Sequence, residues 1–308
     1  MISAGLNESR ALVIKFNPTF IKENRIKSIT KHISNKADNQ IIVDRGLLEQ
    51  YEFNSSGNLV YSFSTEIKKV SSSEVLDYAY SKKGKRVPYY KNEYSYLYDT
   101  TFTYYFYDAN NRLSIKRSSI IGREVFKSNY YEYDSVGNIK KETVIREVNA
   151  ADDVQDFKTG MQTVVSMETY GYEKIAPGQL RKKFFNDEGR IYKTGIIYSD
   201  SAKHITEEAF DFVVTWIKER NNYKYNSKGL LIDKKLMSND GFLSQESYEY
   251  DASSTEPFSG MHIFKDGIKT MDISYIFNKE NRCIESEVSR DHKNASIGIV
   301  KYEYTFEK

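Results

Sequence analysis

The sequence predicts an all-β fold of tandem antiparallel hairpins, on three observations: a recurring turn motif, an excess of Tyr and Phe, and period-two alternation between turns. The 308 residues hold 26 Tyr and 17 Phe against one Trp and four Pro, and mean hydropathy is -0.63. Tyr and Phe favour pleated, half-buried strand surfaces, and a phenol keeps its hydroxyl wet while its ring packs. Such a composition suits sheets with accessible faces better than a thick aliphatic core.

The motif is an aromatic, then Asn or Asp, two variable residues, Gly or Asn, one variable residue and an aliphatic. A degenerate copy opens the array at Phe20, through Asn24 and Arg25 to Ile26. Six close copies begin at Phe53-Asn54, Tyr107-Asp108, Tyr133-Asp134, Phe185-Asn186, Tyr225-Asn226 and Phe277-Asn278, so the Asn/Asp positions stand 54, 26, 52, 40 and 52 residues apart. Weaker copies at Tyr80 to Gly84 and at Tyr250-Asp251 subdivide two of the long intervals.

Asn or Asp followed three residues later by Gly or Asn is the chemistry of a type I turn closed by a left-handed residue, a hairpin loop with a bulge. The flanking residues then face each other: Phe53 with Leu59, Tyr107 with Leu113, Tyr133 with Ile139, Phe185 with Ile191, Tyr225 with Leu231 and Phe277 with Cys283. On the opposite face Glu132 is expected across from Lys140. Period two puts Tyr51, Tyr105, Tyr131, Tyr223 and Tyr275 on the same face as the motif aromatics, making a Tyr ladder. Asp266-Gly267 reads as a two-residue turn, and Tyr94 to Tyr98 and Ile299 to Tyr304 as strands. Ile205 to Arg220 reads as strand in preference to helix, because Phe212, Val213, Val214, Thr215 and Trp216 are strand formers. The whole chain, 1–308, reads as a single repeat domain. It carries an insertion at about 149–160 that includes a short helix from Ala150 to Phe157.

Charge offers little. With 45 Lys and Arg against 43 Asp and Glu the net charge is +2, which gives no footprint for nucleic acid. Lys82, Lys83, Lys85 and Arg86 read as a solvated tip. The single cysteine, Cys283, excludes an intramolecular disulfide and occupies an aliphatic slot, where a small buried hydrophobe is expected. His32, His204, His262 and His292 form no local ligand pair, so no metal site and no cofactor is predicted. No apolar run is long enough for a membrane-spanning helix. Met1 to Arg10 lacks the apolar run of a secretory signal. A protein kept in the cytoplasm is therefore expected, or an extracytoplasmic one from which a signal has been removed.

The phrase Tyr131-Glu132-Tyr133-Asp134-Ser135-Val136-Gly137-Asn138-Ile139 resembles the YD repeat of RHS-type bacterial proteins, toxin shells and teneurins. Tyr105-Phe106-Tyr107-Asp108 and Tyr223-Lys224-Tyr225-Asn226 are similar. The resemblance covers about residues 16–308. It implies an extended twisted or curled sheet of consecutive hairpins, open or partly closed into a barrel; large members close into a shell around a toxin. This chain has far fewer units and lacks any Asp-Pro dipeptide of the family's self-cleaving core.

The function implied is a non-enzymatic repeat scaffold that binds a protein or glycan at a bacterial surface, in the periplasm or in an antagonism system. The candidate binding residues are the ladder tyrosines Tyr105, Tyr107, Tyr131, Tyr133, Tyr223 and Tyr225. Two alternatives stand beside it. One is an accessory or immunity-type partner of an RHS-like toxin, and the other is a carbohydrate-active enzyme using Asp152, Asp153 and Asp156 of the insertion.

Overall fold

The computed structural model describes residues 16–80, 86–120, 124–151, 157–241, 243–250 and 259–307; residues 43, 45, 66–80 and 86–99 are described by their backbone alone. Helix α1 spans Pro18–Glu23. The strands are β1 Ile26–Ala37, β2 Val43–Phe53, β3 Leu59–Tyr80, β4 Arg86–Tyr107, β5 Leu113–Ile120 and β6 Val125–Tyr133. They continue as β7 Ile139–Asn149, β8 Thr159–Ala176, β9 Gln179–Phe185, β10 Ile191–Ser199, β11 Ile205–Phe212 and β12 Lys218–Tyr225. The last six are β13 Leu231–Ser238, β14 Leu243–Glu249, β15 Gly260–Lys265, β16 Ile268–Phe277, β17 Ile284–Asp291 and β18 Ser296–Phe306. Each strand pairs antiparallel with its predecessor, and β18 returns to pair with β1. The 18-stranded sheet therefore closes into a barrel, the outcome that leaves no continuous edge.

The turn chemistry holds at five of the six close copies. At Asn54 the side-chain oxygen accepts the amides of Ser56 and Asn58, both at 3.0 Å, and Asp134 does the same for Val136 and Asn138. Gly57, Asn111, Gly137, Gly189 and Gly229 supply the left-handed residue. The flanking pairs form as expected, from Phe53 opposite Leu59 to Tyr225 opposite Leu231.

Two registers differ. In the last copy the loop is one residue longer, Arg282 takes the left-handed conformation (φ 59°), and Phe277 faces Ile284, not Cys283. The bulge between Glu132 and Tyr133 also shifts Glu132 opposite Lys141, with an ion pair at 3.3 Å, leaving Lys140 unopposed.

The spacing of copies does not map onto a uniform hairpin. The interval from Asn54 to Asp108 is one hairpin of two 22-residue strands, β3 and β4. Three strands separate Asp134 from Asn186 and three more separate it from Asn226, so the Asn186 turn lies at the opposite end of the barrel. The Tyr80 to Gly84 copy falls mostly outside the described residues. The opening copy at Phe20 is not a hairpin: Asn17 caps α1 by accepting from Thr19 and Phe20 amides, Pro18 presets its first turn, and Arg25 ends it at φ 52°.

Ile205 to Arg220 is strand, turn and strand. Val213 to Trp216, expected within a strand, form the exposed β11–β12 tip, with Trp216 left-handed at φ 58°. Asp266-Gly267 is the expected tight turn, both residues having positive φ. The insertion helix lies largely outside the described residues. Asn149 closes its base by accepting from the Ala151 and Lys158 amides, and Phe157 lies edge-on to Phe126 at 5.1 Å.

The motif aromatics and ladder tyrosines point inward, except in the Asn186 copy, where Phe185 and Ile191 lie on the outer wall and Phe184 points in. One buried cluster gathers residues from β1 to β7 and from β17 around α1, including Ile29, Tyr51, Phe53, Leu59, Tyr105, Leu113, Tyr131 and Ile139. Side chains from strands on all sides can meet only inside the barrel. Ile21 of α1 is fully buried there, and Phe16 packs edge-on to Tyr51 and Phe53 at 4.9 and 5.1 Å. Helix α1 thus plugs the mouth at which the Asn54, Asp108, Asp134, Asn226 and Asn278 turns lie.

Candidate functional site

The inward rows build two belts above the plug. Nearest it, each motif tyrosine hydroxyl donates to a carbonyl on the neighbouring hairpin. Tyr107 reaches the Leu59 oxygen at 2.7 Å, Tyr133 that of Leu113 at 2.7 Å and Tyr225 that of Ile205 at 2.9 Å. Tyr250 and Tyr304 repeat the contact on Leu231 and Ile284, both at 2.7 Å. These bonds lace each turn to the next at a point where the strand-end carbonyl has no ladder partner to receive. Burial pushes the Tyr133 phenol up to about 12, so it stays a donor at neutral pH.

The second belt pairs tyrosines with carboxylates. Tyr51 donates to Glu49 at 2.6 Å, Tyr223 to Glu208 at 2.6 Å, Tyr248 to Glu246 at 2.5 Å, Tyr302 to Glu287 at 2.9 Å and Tyr170 to Glu168 at 2.9 Å. Burial first and the adjacent carboxylate second raise the pKa of Tyr51, Tyr170, Tyr223 and Tyr302.

Lysines stand among the rings. Lys31 lies 5.4 Å from the centroids of both Tyr51 and Tyr302 and 3.2 Å from Glu49. Lys193 sits over Phe210 and Phe212 at 4.3 and 4.4 Å, and burial holds its pKa low. Lys31, Lys193 and Lys234 keep 17, 18 and 26 % of their side-chain surface in water, so this belt is wet where the plug is dry.

The six ladder tyrosines divide between these belts. Tyr105, Tyr131 and Tyr223 are buried in the second; Tyr107, Tyr133 and Tyr225 are half-buried in the first. Tyr105, Tyr107, Tyr131 and Tyr133 come together around α1, while Tyr223 and Tyr225 lie on the β11–β14 side, Tyr225 stacked on His204 at 4.7 Å. Asp152, Asp153 and Asp156 lie outside the described residues. Cys283 is buried, and burial pushes its thiol up to about 11, the behaviour of a small hydrophobe.

The sequence reading missed two constellations. The belt lysines and carboxylates follow from the same period of two once the tyrosine face is known to be inward. On the outer wall His262 bridges Asp272 and Glu249 (2.8 Å), and His292 reaches the same Asp272 at 2.6 Å, which Lys269 also pairs at 2.9 Å. Strand pairing brings these residues together from four places in the chain, so no local spacing announced them. Among the described residues no group of His, Cys, Asp and Glu is arranged to hold a metal ion.

No family model matches the chain, and no curated protein matches it. Among solved structures it is similar to a porin-like protein from Bacteroides uniformis ATCC 8492, at 10 % identity and TM-score 0.37, over 91 % of this chain and 98 % of that one. A porin-like protein from Bacteroides vulgatus ATCC 8482 matches 66 % of this chain and 94 % of its own, at 8 % identity and TM-score 0.29. The TcdB2-TccC3 crystal structure matches 87 % of this chain and 16 % of its own, at 11 % identity and TM-score 0.23.

Proposed function

We propose that the chain is a non-enzymatic β-barrel scaffold whose lumen holds a polar partner, an oligosaccharide or a protein segment, entered from the end opposite α1. The observation that carries this reading is the wet belt of tyrosine and phenylalanine rings, carboxylates and lysines above a dry aromatic plug. A sugar offers C–H faces to rings and hydroxyls to charged groups, and this lining supplies both. The belt carboxylates are engaged by phenols and lysines, which suits holding a ligand better than moving protons. The YD-like turns favour a setting at a bacterial surface, in the periplasm or in an antagonism system.

The outer wall bears on placement. Exposed Lys218, Arg220 and Lys224 line the outside of β12, and Arg181 and Lys183 that of β9. A bilayer-spanning barrel presents an apolar band about 25 Å tall instead. These strands favour a barrel standing in water.

Calorimetric titration against an oligosaccharide panel tests the reading. Binding that weakens at least tenfold in Lys193→Ala and Glu246→Gln, and is unchanged in the outer-wall variant Lys224→Ala, supports it. Absence of binding across the panel, together with no lumenal residue protected in a pull-down complex, overturns it.

A further inference from the structure

Strand pairing sets one histidine between two carboxylates. His262, on the outer face of β15, stands opposite Ser247 of β14 on one side and Asp272 of β16 on the other. Its Nδ1 faces Asp272, and its Nε2 faces Glu249 Oε1 at 2.8 Å. Glu249, at the end of β14, is opposite Gly260 and reaches His262 by crossing over it. A Cβ at Gly260 would lie 3.2 Å from Glu249 Oε2, so the bare backbone keeps that path open.

A neutral imidazole donates from one nitrogen and accepts at the other, and only the protonated ring donates from both. Carboxylates above their usual range accept and have no proton to give. The two contacts of His262 therefore exist together only while the ring carries its second proton. The charges around the ring decide which contact is lost when that proton leaves. Lys269 of β16 pairs with Asp272 at 2.9 Å, and His292, at the start of the β17–β18 turn, reaches its Oδ2 at 2.6 Å. Arg290 of β17, opposite Asp272 in the ladder, is held by Asp38 of the β1–β2 turn at 2.6 Å. Although burial opposes it, Lys269, His292 and His262 hold the Asp272 pKa low. Glu249 keeps 62 % of its side-chain surface in water, and among the described residues it pairs with His262 alone.

We propose that His262 is a proton-operated clasp across β14, β15 and β16: charged, it joins Glu249 to Asp272, and neutral, it keeps Asp272 and releases Glu249. The contact closes the end of the β14–β15 ladder. There the Ser259 amide donates to the Glu249 carbonyl at 2.7 Å and the Tyr275 amide to the Ser259 carbonyl at 2.9 Å. The next residue, Tyr250, laces this end to Leu231 in the mouth belt. Hydrogen bonds to Glu249 and then Asp272 raise the His262 pKa above 6.5. The clasp is whole below that value and opens as pH rises through the higher folded one.

Imidazole nitrogen NMR of the full chain, with four histidines to assign, reads the ring directly. His262 holds both ring protons at a pH where free histidine is half neutral, and on titration it keeps the Nδ1 proton. Amide exchange at Ser259 and Tyr275, corrected for intrinsic base catalysis, reads the opening. Protection falls about fivefold or more from about pH 5 to about pH 8 in the parent. Glu249→Gln offers the neutral ring an amide donor, so its protection stays flat, whereas His262→Ala shows the low protection at every pH. A His262 that titrates like free histidine overturns the proposal, as does a neutral ring protonated at Nε2. A Glu249→Gln variant that keeps the parent's pH profile overturns it as well.

Discussion

Replacing Gly57 and Gly137 by alanine separates the contribution of the turn from that of the plug. Both glycines close the same kind of loop, at φ 79° and 95°, so each alanine meets the left-handed penalty of about 1–2 kcal/mol. Around Gly137 there is open space, and that penalty is the whole expected loss. At Gly57 an added Cβ would lie 2.0 Å from the Pro18 carbonyl oxygen and 3.1 Å from the Lys22 amide. Those are backbone atoms of α1, which can give way only by lifting the helix from the mouth. Lifting it uncovers Ile21, whose burial contributes about 1.5–3 kcal/mol. Gly57→Ala should therefore cost about 2.5–5 kcal/mol against about 1–2 for Gly137→Ala, read as urea midpoints by circular dichroism at constant m-value. In an Ile21→Ala background the Gly57 cost should fall towards that of Gly137, because the lost contact is already absent. Equal losses at the two glycines, or no change in the Ile21→Ala background, would refute the seating of α1 on the Asn54 turn.

Further outcomes follow from the belts and the outer wall. Tyr133→Phe should cost about 1 kcal/mol, the net worth of its hydrogen bond to the Leu113 carbonyl, with Tyr225→Phe adding independently in the double variant; additivity is checked by the same urea series. Arg117 and Glu147 form a buried pair at 3.2 Å, and although burial opposes it, hydrogen bonds from Ser128, Tyr130 and Gln162 and the Arg117 charge hold the Glu147 pKa low. Arg117→Met alone should cost about 3–5 kcal/mol, and Arg117→Met with Glu147→Leu distinctly less, because the single change strands a buried charge. His262 has its pKa raised by hydrogen bonds to Glu249 and then Asp272. Its contribution is fully present below the unfolded value of about 6.5 and is lost as pH rises through the higher folded value. Urea midpoints should therefore fall over that window in the parent and stay flat in His262→Gln. Cys283 should resist a thiol reagent in the native protein and react on unfolding, which a colorimetric titration reads directly.

The turns were legible because their chemistry is local. An Asn or Asp whose own side chain binds amides two and four residues on, followed by a residue that tolerates positive φ, needs nothing from the rest of the chain. Where that logic was stretched the reading slipped. The Asp200 to His204 turn uses Lys203 at φ 66° and lacks the preceding aromatic, so it escaped the motif, although Asp200 accepts the His204 amide at 2.8 Å in the same way. Pro177-Gly178, with Gly178 at φ 70°, joins β8 to β9 in a turn that the dipeptide alone signals. The Val213 to Trp216 tip misled because propensity describes packing on a pleated face, and a tip has no face to pack on.

The site was less legible because its geometry depends on closure. Period two assigns Glu49, Lys116, Glu142 and Lys234 to the tyrosine face, but whether that face looks into a lumen or out to solvent is decided by the β1–β18 pairing. That pairing joins residues such as Ser28 and Thr305, whose hydroxyls lie 2.6 Å apart across 277 positions of sequence. An open sheet with the same turns would have left the tyrosines as a surface platform. Once β18 meets β1, the same residues become the inner wall, the carboxylates and lysines two places along each strand become its lining, and the charged alternates of β9 and β12 face outward. A Tyr-rich repeat therefore specifies its strands locally and acquires a lined interior only through its longest-range contact. Changes at the β1–β18 seam, such as Ile29→Asp beneath Tyr51 and Tyr304, should consequently abolish barrel stability and the proposed ligand binding together. Changes in the belt itself should separate the two.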